Sequence, residues 1–244
     1  MDANGAASPA RYGFGDALAA QEREPQPVHP SERAYEFPDP SDVEADGLVA
    51  YGGDFEPTTV LAAYTQGTFP WPHGDDEYLW FSPDPRAIIR VGGLQVSRRL
   101  ERTLRQARFR VTMDRAFREV MTACADRPEG TWITPALIDG YCRLHERGWA
   151  HSIEVWDPDG ALVGGLYGVR VRSLFGAESM FHRATDASKV AMVAMMEWAA
   201  ATHIQLVDVQ VLSPHTQSMG AIEIPRRDYL ALARRAMSGS HQQD

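Results

Sequence analysis

Residues 151–181, HSIEVWDPDGALVGGLYGVRVRSLFGAESMF, decide the fold. His151 to Trp156 alternates side chains as a half-buried strand does, and Asp157-Pro-Asp-Gly160 is strong turn chemistry. Ala161 to Val171 continues as a second strand and Leu174 to Phe181 as a third, which predicts an antiparallel meander. The period then changes. Asp186 to Ala201 is rich in Ala and Met and reads as a buried helix with Asp186 as its cap. Ile204 to Val211 alternates again as a strand, and Pro225 to Met237 closes the chain as a helix.

Upstream, Thr134-Pro135 starts a helix that runs to about Arg147 and stops at Gly148, with Ile138, Tyr141, Leu144 and His145 on one side. Arg98 to Arg108 has helical spacing and a polar face. Pro57 to Gln66 is a short helix stopped by Gly67. The Trp- and Pro-rich segment from Phe69 to Pro85 is too broken by proline for regular structure and is expected as a shaped loop. Residues 1–32, rich in Ala, Gly, Pro and Gln, are expected as a loose tail. The predicted architecture is α+β, with a small N-terminal domain at residues 33–95 and a larger C-terminal one at 96–238.

Composition excludes several classes. No apolar run approaches the ~20 residues of a membrane-spanning helix, and no basic start followed by an apolar stretch marks a secretory leader. Cys124 and Cys142 form no CxxC pair, which fits a reducing cytoplasm. The histidines lack ligand spacing, so no metal is expected. The net charge of -9 argues against RNA only at long range, because residues 86–118 hold ten arginines against Glu101 and Asp114. Taken alone, the run from Arg98 to Arg108 reads more readily as a solvated helix face.

Four ordered segments, spread over about residues 35–235, carry a resemblance. They are Gly47-Leu-Val-Ala-Tyr-Gly-Gly-Asp54 continuing to Gly67-Thr-Phe-Pro-Trp71, and Trp80-Phe-Ser-Pro-Asp-Pro-Arg86. Then come Gly130-Thr-Trp-Ile-Thr134 through Gly164-Gly-Leu-Tyr-Gly168, and Glu178-Ser-Met-Phe181 through Asp208-Val-Gln-Val211, His215 and Ile224-Pro-Arg-Arg-Asp-Tyr229. Together they resemble the leucyl/phenylalanyl-tRNA–protein transferase family.

The resemblance implies a GNAT-like acyltransferase fold for the C-terminal domain. It also implies transfer of leucine or phenylalanine (with Met as a further donor) from aminoacyl-tRNA to the α-amine of proteins that begin with Arg or Lys. That is an N-degron step of protein degradation. The donor ester is already activated, so no cofactor is implied, and a cytoplasmic monomer is expected.

Strand spacing puts Asp208 and Gln210 on one face, which alone would suit an edge residue facing water. By resemblance they are the catalytic pair, with Asp208 polarising Gln210 and Gln210 orienting the amine. Glu178, with Asp208 near it, is implied as the fixed negative charge that receives the acceptor's cationic side chain. Met180, Met192 and Met195 are implied as the apolar donor pocket, although a methionine stripe is equally core. Family members often carry Phe where Met195 stands. Trp71 and Trp132 are implied to stack on the 3′ adenosine, and Arg98, Arg99, Arg102 and Arg105 to hold the tRNA backbone. Two rivals remain at this point. A CoA-dependent acetyltransferase would need glycines that the turn Phe181-His-Arg-Ala-Thr-Asp186 lacks, and a non-catalytic RNA-binding adaptor would not need Asp208 or Gln210.

Overall fold

In the computed structural model the described residues are 11–26, 35–44, 46–73 and 78–238. The helices are α1 (Phe14–Ala19), α2 (Pro57–Thr65), α3 (Arg98–Arg105), α4 (Phe117–Ala125), α5 (Pro135–Glu146), α6 (Ala187–Ala201), α7 (Pro214–Ser218) and α8 (Arg226–Ser238). The strands are β1 (Leu48–Tyr51), β2 (Phe69–Pro70), β3 (Leu79–Phe81), β4 (Arg86–Arg90), β5 (Arg110–Met113), β6 (Ala150–Trp156), β7 (Leu162–Val171), β8 (Leu174–His182), β9 (Leu206–Gln210) and β10 (Ile222–Ile224). They form a mixed α/β fold. A small N-terminal domain holds a three-stranded sheet, β1-β3-β2, and a larger domain holds a seven-stranded sheet, β10-β4-β9-β8-β7-β6-β5.

The expected meander is β6, β7 and β8, antiparallel throughout. Asp157 explains the tightness of its first turn, since one carboxylate oxygen accepts from the backbone N–H of Asp159 (3.0 Å) and Ala161 (2.8 Å). α6 then carries the chain across the sheet, so β9 returns parallel to β8. The Thr134 hydroxyl caps α5 through Leu137 N as its sequence predicts. Asp186 does not cap α6. Its backbone is left-handed (φ 68°), and its carboxylate turns to the Thr103 hydroxyl at 3.2 Å and to Arg99 at 3.4 Å.

The large sheet lies between two apolar layers. On one side α6 buries Met192, Met195 and Trp198 completely against Ile153, Leu166 and Val207. On the other, Phe117, Val120, Leu137 and Tyr141 of α4 and α5 cover Tyr167 and Val169. A helix apolar on all sides has nowhere exposed to lie, which fits the central place of α6. Gly164 permits its close approach, because a Cβ there would meet the Ala187 Cβ at 2.6 Å.

Three expectations fail here. The segment expected as a loop carries β2 and β3. Pro70 is tolerated because β2 pairs with β3 alone, on the edge of the small sheet; residues 74–77 of that segment lie outside the described residues. β4, expected in the N-terminal domain, belongs to the large sheet between β9 and β10. The N-terminal stretch is not loose over residues 11–26. Leu18 is buried in the core, Glu197 accepts from the N–H of Tyr12 (2.6 Å) and Phe14 (2.7 Å), and Glu22 pairs with Arg170 and accepts from the Trp198 indole (3.0 Å). Residues 1–10 and 27–32 of that stretch lie outside the described residues.

Candidate functional site

The parallel pairing of β8 with β9 stops at Gly176↔Asp208. β8 continues along β7, whereas β9 ends at Gln210, whose backbone is left-handed (φ 57°). Two residues beyond the last register pair, the strands meet through side chains instead. Gln210 Nε2 donates to Glu178 Oε1 at 2.8 Å. Both residues line a cavity of about 610 Å³.

Behind Gln210 sits a buried charge pair. Arg86 donates from Nε to Asp208 Oδ1 (2.9 Å) and from Nη2 to Oδ2 (2.6 Å), a two-pronged pairing with both side chains about 1% exposed. The Tyr229 hydroxyl donates to Oδ2 (2.8 Å), and the Gln210 backbone N–H donates to Oδ1 (2.9 Å). Arg86 Nη1 also donates to the Gly67 carbonyl (3.2 Å), and its guanidinium lies between the rings of Phe69 (4.6 Å) and Tyr229 (4.2 Å). Burial alone would lower the affinity of Arg86 for its proton. Asp208 and the Tyr229 oxygen outweigh that, and the net shift is upward. The guanidinium keeps its charge, and the hydrogen bonds hold both side chains in place.

This corrects the expected geometry. Asp208 does not share an open face with Gln210. It is fully buried, absent from the cavity wall, and bound to the backbone of Gln210 rather than to its amide. The left-handed residue breaks the strand alternation that placed the two side chains together. With its amide nitrogen on Glu178, Gln210 is left with a carbonyl oxygen that takes no bond within the described residues.

Glu178 is partly exposed to the cavity. Burial raises its carboxyl to about 8, with Asp208 adding to the rise and the Tyr64 hydroxyl, Arg86 and Gln210 opposing it. The expected fixed charge is therefore conditional, because a carboxyl raised to about 8 favours its protonated form at neutral pH. Tyr64 in turn shares a hydrogen bond of 3.0 Å with Tyr141.

Trp71, Trp132 and Met180 line the same cavity. Met192 and Met195 do not. Both are fully buried against the sheet, because α6 presents apolar side chains in every direction and only some can reach the cavity. Arg98, Arg99, Arg102 and Arg105 lie exposed on α3, away from the cavity wall; Arg99 is paired with Asp186 and Arg105 with Glu101. Sequence reasoning missed Arg86 and Tyr229 as a unit. Both stand inside quoted motifs, yet nothing local distinguishes a buried arginine in Arg86-Ala-Ile-Ile from an exposed one.

Burial pushes the Cys124 thiol up to about 12, so it offers no thiolate beside the cavity. No cluster of three or more His, Cys, Asp or Glu suited to a metal ion occurs among the described residues, and no helix among them is long and apolar enough to cross a membrane.

The family profile described as leucyl/phenylalanyl-tRNA protein transferase matches residues 88–234, and the one for its N-terminal domain matches residues 53–84. A leucyl/phenylalanyl-tRNA–protein transferase of Anaeromyxobacter dehalogenans is 48% identical over 215 residues, which cover 86% of this chain and 92% of the relative. One from Shigella dysenteriae serotype 1 is 49% identical over 206 residues, covering 83% and 88%. One from Desulfatibacillum aliphaticivorans is 47% identical over 208 residues, covering 84% and 89%.

Proposed function

The chain belongs to the leucyl/phenylalanyl-tRNA–protein transferase family, and from that premise we propose that it moves leucine or phenylalanine from aminoacyl-tRNA to the α-amine of proteins that begin with Arg or Lys. The observation that carries this reading is the Glu178–Gln210 hydrogen bond in the cavity wall. It sets an acceptor oxygen for an amine beside a carboxyl able to meet a cation.

The donor's 3′ adenosine stacks on Trp71 and Trp132, and its apolar side chain packs on Met180. As the acceptor's guanidinium or ammonium approaches Glu178, its positive charge lowers the proton affinity of the carboxyl, the proton passes to water and an ion pair forms. The Gln210 carbonyl accepts a hydrogen bond from the α-amine and points its lone pair at the ester carbon. The new C–N bond forms and the bond to the ribose oxygen breaks. The amine loses a proton, the ribose oxygen gains one, and tRNA leaves with a free hydroxyl. Asp208 takes no part in the proton transfers; with Arg86 and Tyr229 it holds the backbone of Gln210 in place. An ester is reactive enough toward a neutral amine that positioning and charge complementarity suffice, so no metal or cofactor enters.

Exposed Arg98, Arg99, Arg102 and Arg105 hold tRNA phosphates in this reading, and the enzyme acts as a cytoplasmic monomer in an N-degron step of protein degradation. The test is transfer of radiolabelled leucine from Leu-tRNA to peptides starting with Arg, Lys or Ala after dialysis against a chelator. Label on the Arg and Lys peptides alone is expected; no label on any peptide at low salt overturns the proposal.

A further inference from the structure

Beside the main cavity lies a second one of about 550 Å³. Its wall gathers Arg99 of α3, His182 at the end of β8, Arg183 in the turn that follows, Lys189 in the first turn of α6 and His215 of α7. Lys189 is the only lysine in the chain. The one acid of the wall, Asp186, is already engaged by Arg99 and Thr103. Burial first, then the charges of Lys189 and His182, hold His215 below its ordinary value, which marks how closely these groups crowd.

Two further features point to a ligand. α6 runs for 15 residues, and no side chain caps its first turn, so the positive end of the helix is open toward this wall. Ser188, only 3% exposed, lines both cavities, and its hydroxyl has no hydrogen-bond partner among the described residues. His215 Nε2 is a buried atom without a hydrogen-bond partner. Buried polar groups are ordinarily satisfied. Here an unpaired hydroxyl, an unpaired imidazole nitrogen and an ammonium surround one space.

We propose that the second cavity is a phosphate subsite, which holds the phosphate on the 5′ oxygen of the nucleoside whose base and aminoacyl ester occupy the main cavity. The proposal rests on the functional reading above. The two cavities share His182, Ser188 and His215, so a phosphate one sugar away from an adenosine in the main cavity falls against Lys189. The site grips with side chains and one helix end. It differs from a backbone cradle for a pyrophosphate, which needs glycines that residues 181–186 do not supply.

The experiment titrates the full chain with adenosine and with adenosine 5′-monophosphate by calorimetry at low salt, for the wild type, Lys189→Met and Lys189→Glu. The phosphate form binds the wild type about ten-fold more tightly, as one charge-assisted hydrogen bond would give. Lys189→Met reduces that preference and Lys189→Glu abolishes it, while adenosine itself binds all three alike. Equal affinities, no binding of the phosphate form, or a preference that survives Lys189→Glu overturns the subsite. A preference lost in Lys189→Glu, in a protein that transfers no leucine to any peptide, leaves the subsite standing and removes the functional reading instead.

Discussion

Asp208→Asn and Gln210→Ala separate positioning from participation. Asp208 and Arg86 are both about 1% exposed, and the carboxylate accepts from Arg86 twice, from Tyr229 and from the Gln210 backbone. Removing one charge of a buried pair strands the other, at about 3–5 kcal/mol. In a chain of this length each kcal/mol moves the melting temperature by roughly 2–4 °C, so Asp208→Asn should melt on the order of 6–20 °C lower. Asparagine keeps an oxygen for the Gln210 N–H, so kcat, measured well below the new midpoint, should fall less than about ten-fold, or ~1.4 kcal/mol. Gln210→Ala removes only the bond to Glu178 and should change stability by about 1 kcal/mol. It also deletes the oxygen that aims the amine, and kcat should drop about 10²–10³-fold, as when a preorganised hydrogen-bonding group is lost. Thermal unfolding followed by circular dichroism, with steady-state transfer of labelled leucine, reads both. An Asp208→Asn protein with an unchanged melting temperature and a kcat as low as that of Gln210→Ala would refute the positioning role and restore a direct relay.

Glu178 titrates at about 8 in the folded protein against an ordinary 4.5. The KM for an Arg-initiated peptide should therefore fall as pH rises through 8, beyond the change seen with Glu178→Gln; parallel profiles for the two proteins would remove Glu178 from acceptor binding. The unfolded chain releases this proton near 4.5 and the folded one near 8, so between those values the wild type loses stability as pH rises. Urea midpoints should show Glu178→Gln gaining on the wild type by at most about 3 kcal/mol from pH 5 to pH 7. Trp132→Leu should raise the donor KM roughly ten-fold with kcat at saturation retained, since stacking on one base contributes about 1–3 kcal/mol; an unchanged KM would place the adenosine elsewhere. Leu18→Ala should cost about 2–4 kcal/mol in chemical denaturation, and an unaltered midpoint would show that the N-terminal strap is detached in solution.

What the sequence made legible was local. The turn at Asp157 and the alternation around it set β6 to β8, and an apolar stretch without alternation set α6. What stayed hidden depends on partners far along the chain. β4 is a strand because β9 and β10, more than a hundred residues away, lie beside it. Residues 11–26 are ordered by Glu197, Arg170 and Trp198, none of which their Ala- and Gln-rich composition announces. The same limit applied within the site. Glu178, Met180, Gln210, Trp71 and Trp132 line one cavity, but a helical stripe of methionines suits a core as well as a pocket and could not decide that Met192 and Met195 belong to the core. Strand alternation could not foresee the left-handed turn at Gln210 that parts it from Asp208.

That turn explains why a buried ion pair stands where apolar side chains would pack at less cost. Stripping two charges of water offsets most of their attraction, and well-packed apolar replacements of such pairs are often neutral or stabilising. The joint replacement Arg86→Met with Asp208→Leu should therefore unfold within about 2 kcal/mol of the wild type. Leucine, however, has no oxygen for the Gln210 N–H, and methionine gives nothing to the Gly67 carbonyl. A non-glycine residue pays a conformational penalty to sit at positive φ, and freed from Asp208 it should relax toward ordinary strand geometry, turning its amide from Glu178. The double variant should be stable and nearly inactive, with kcat as low as that of Gln210→Ala. Full activity in that protein would mean that the turn holds without the pair, and that the charges serve some purpose other than aiming Gln210.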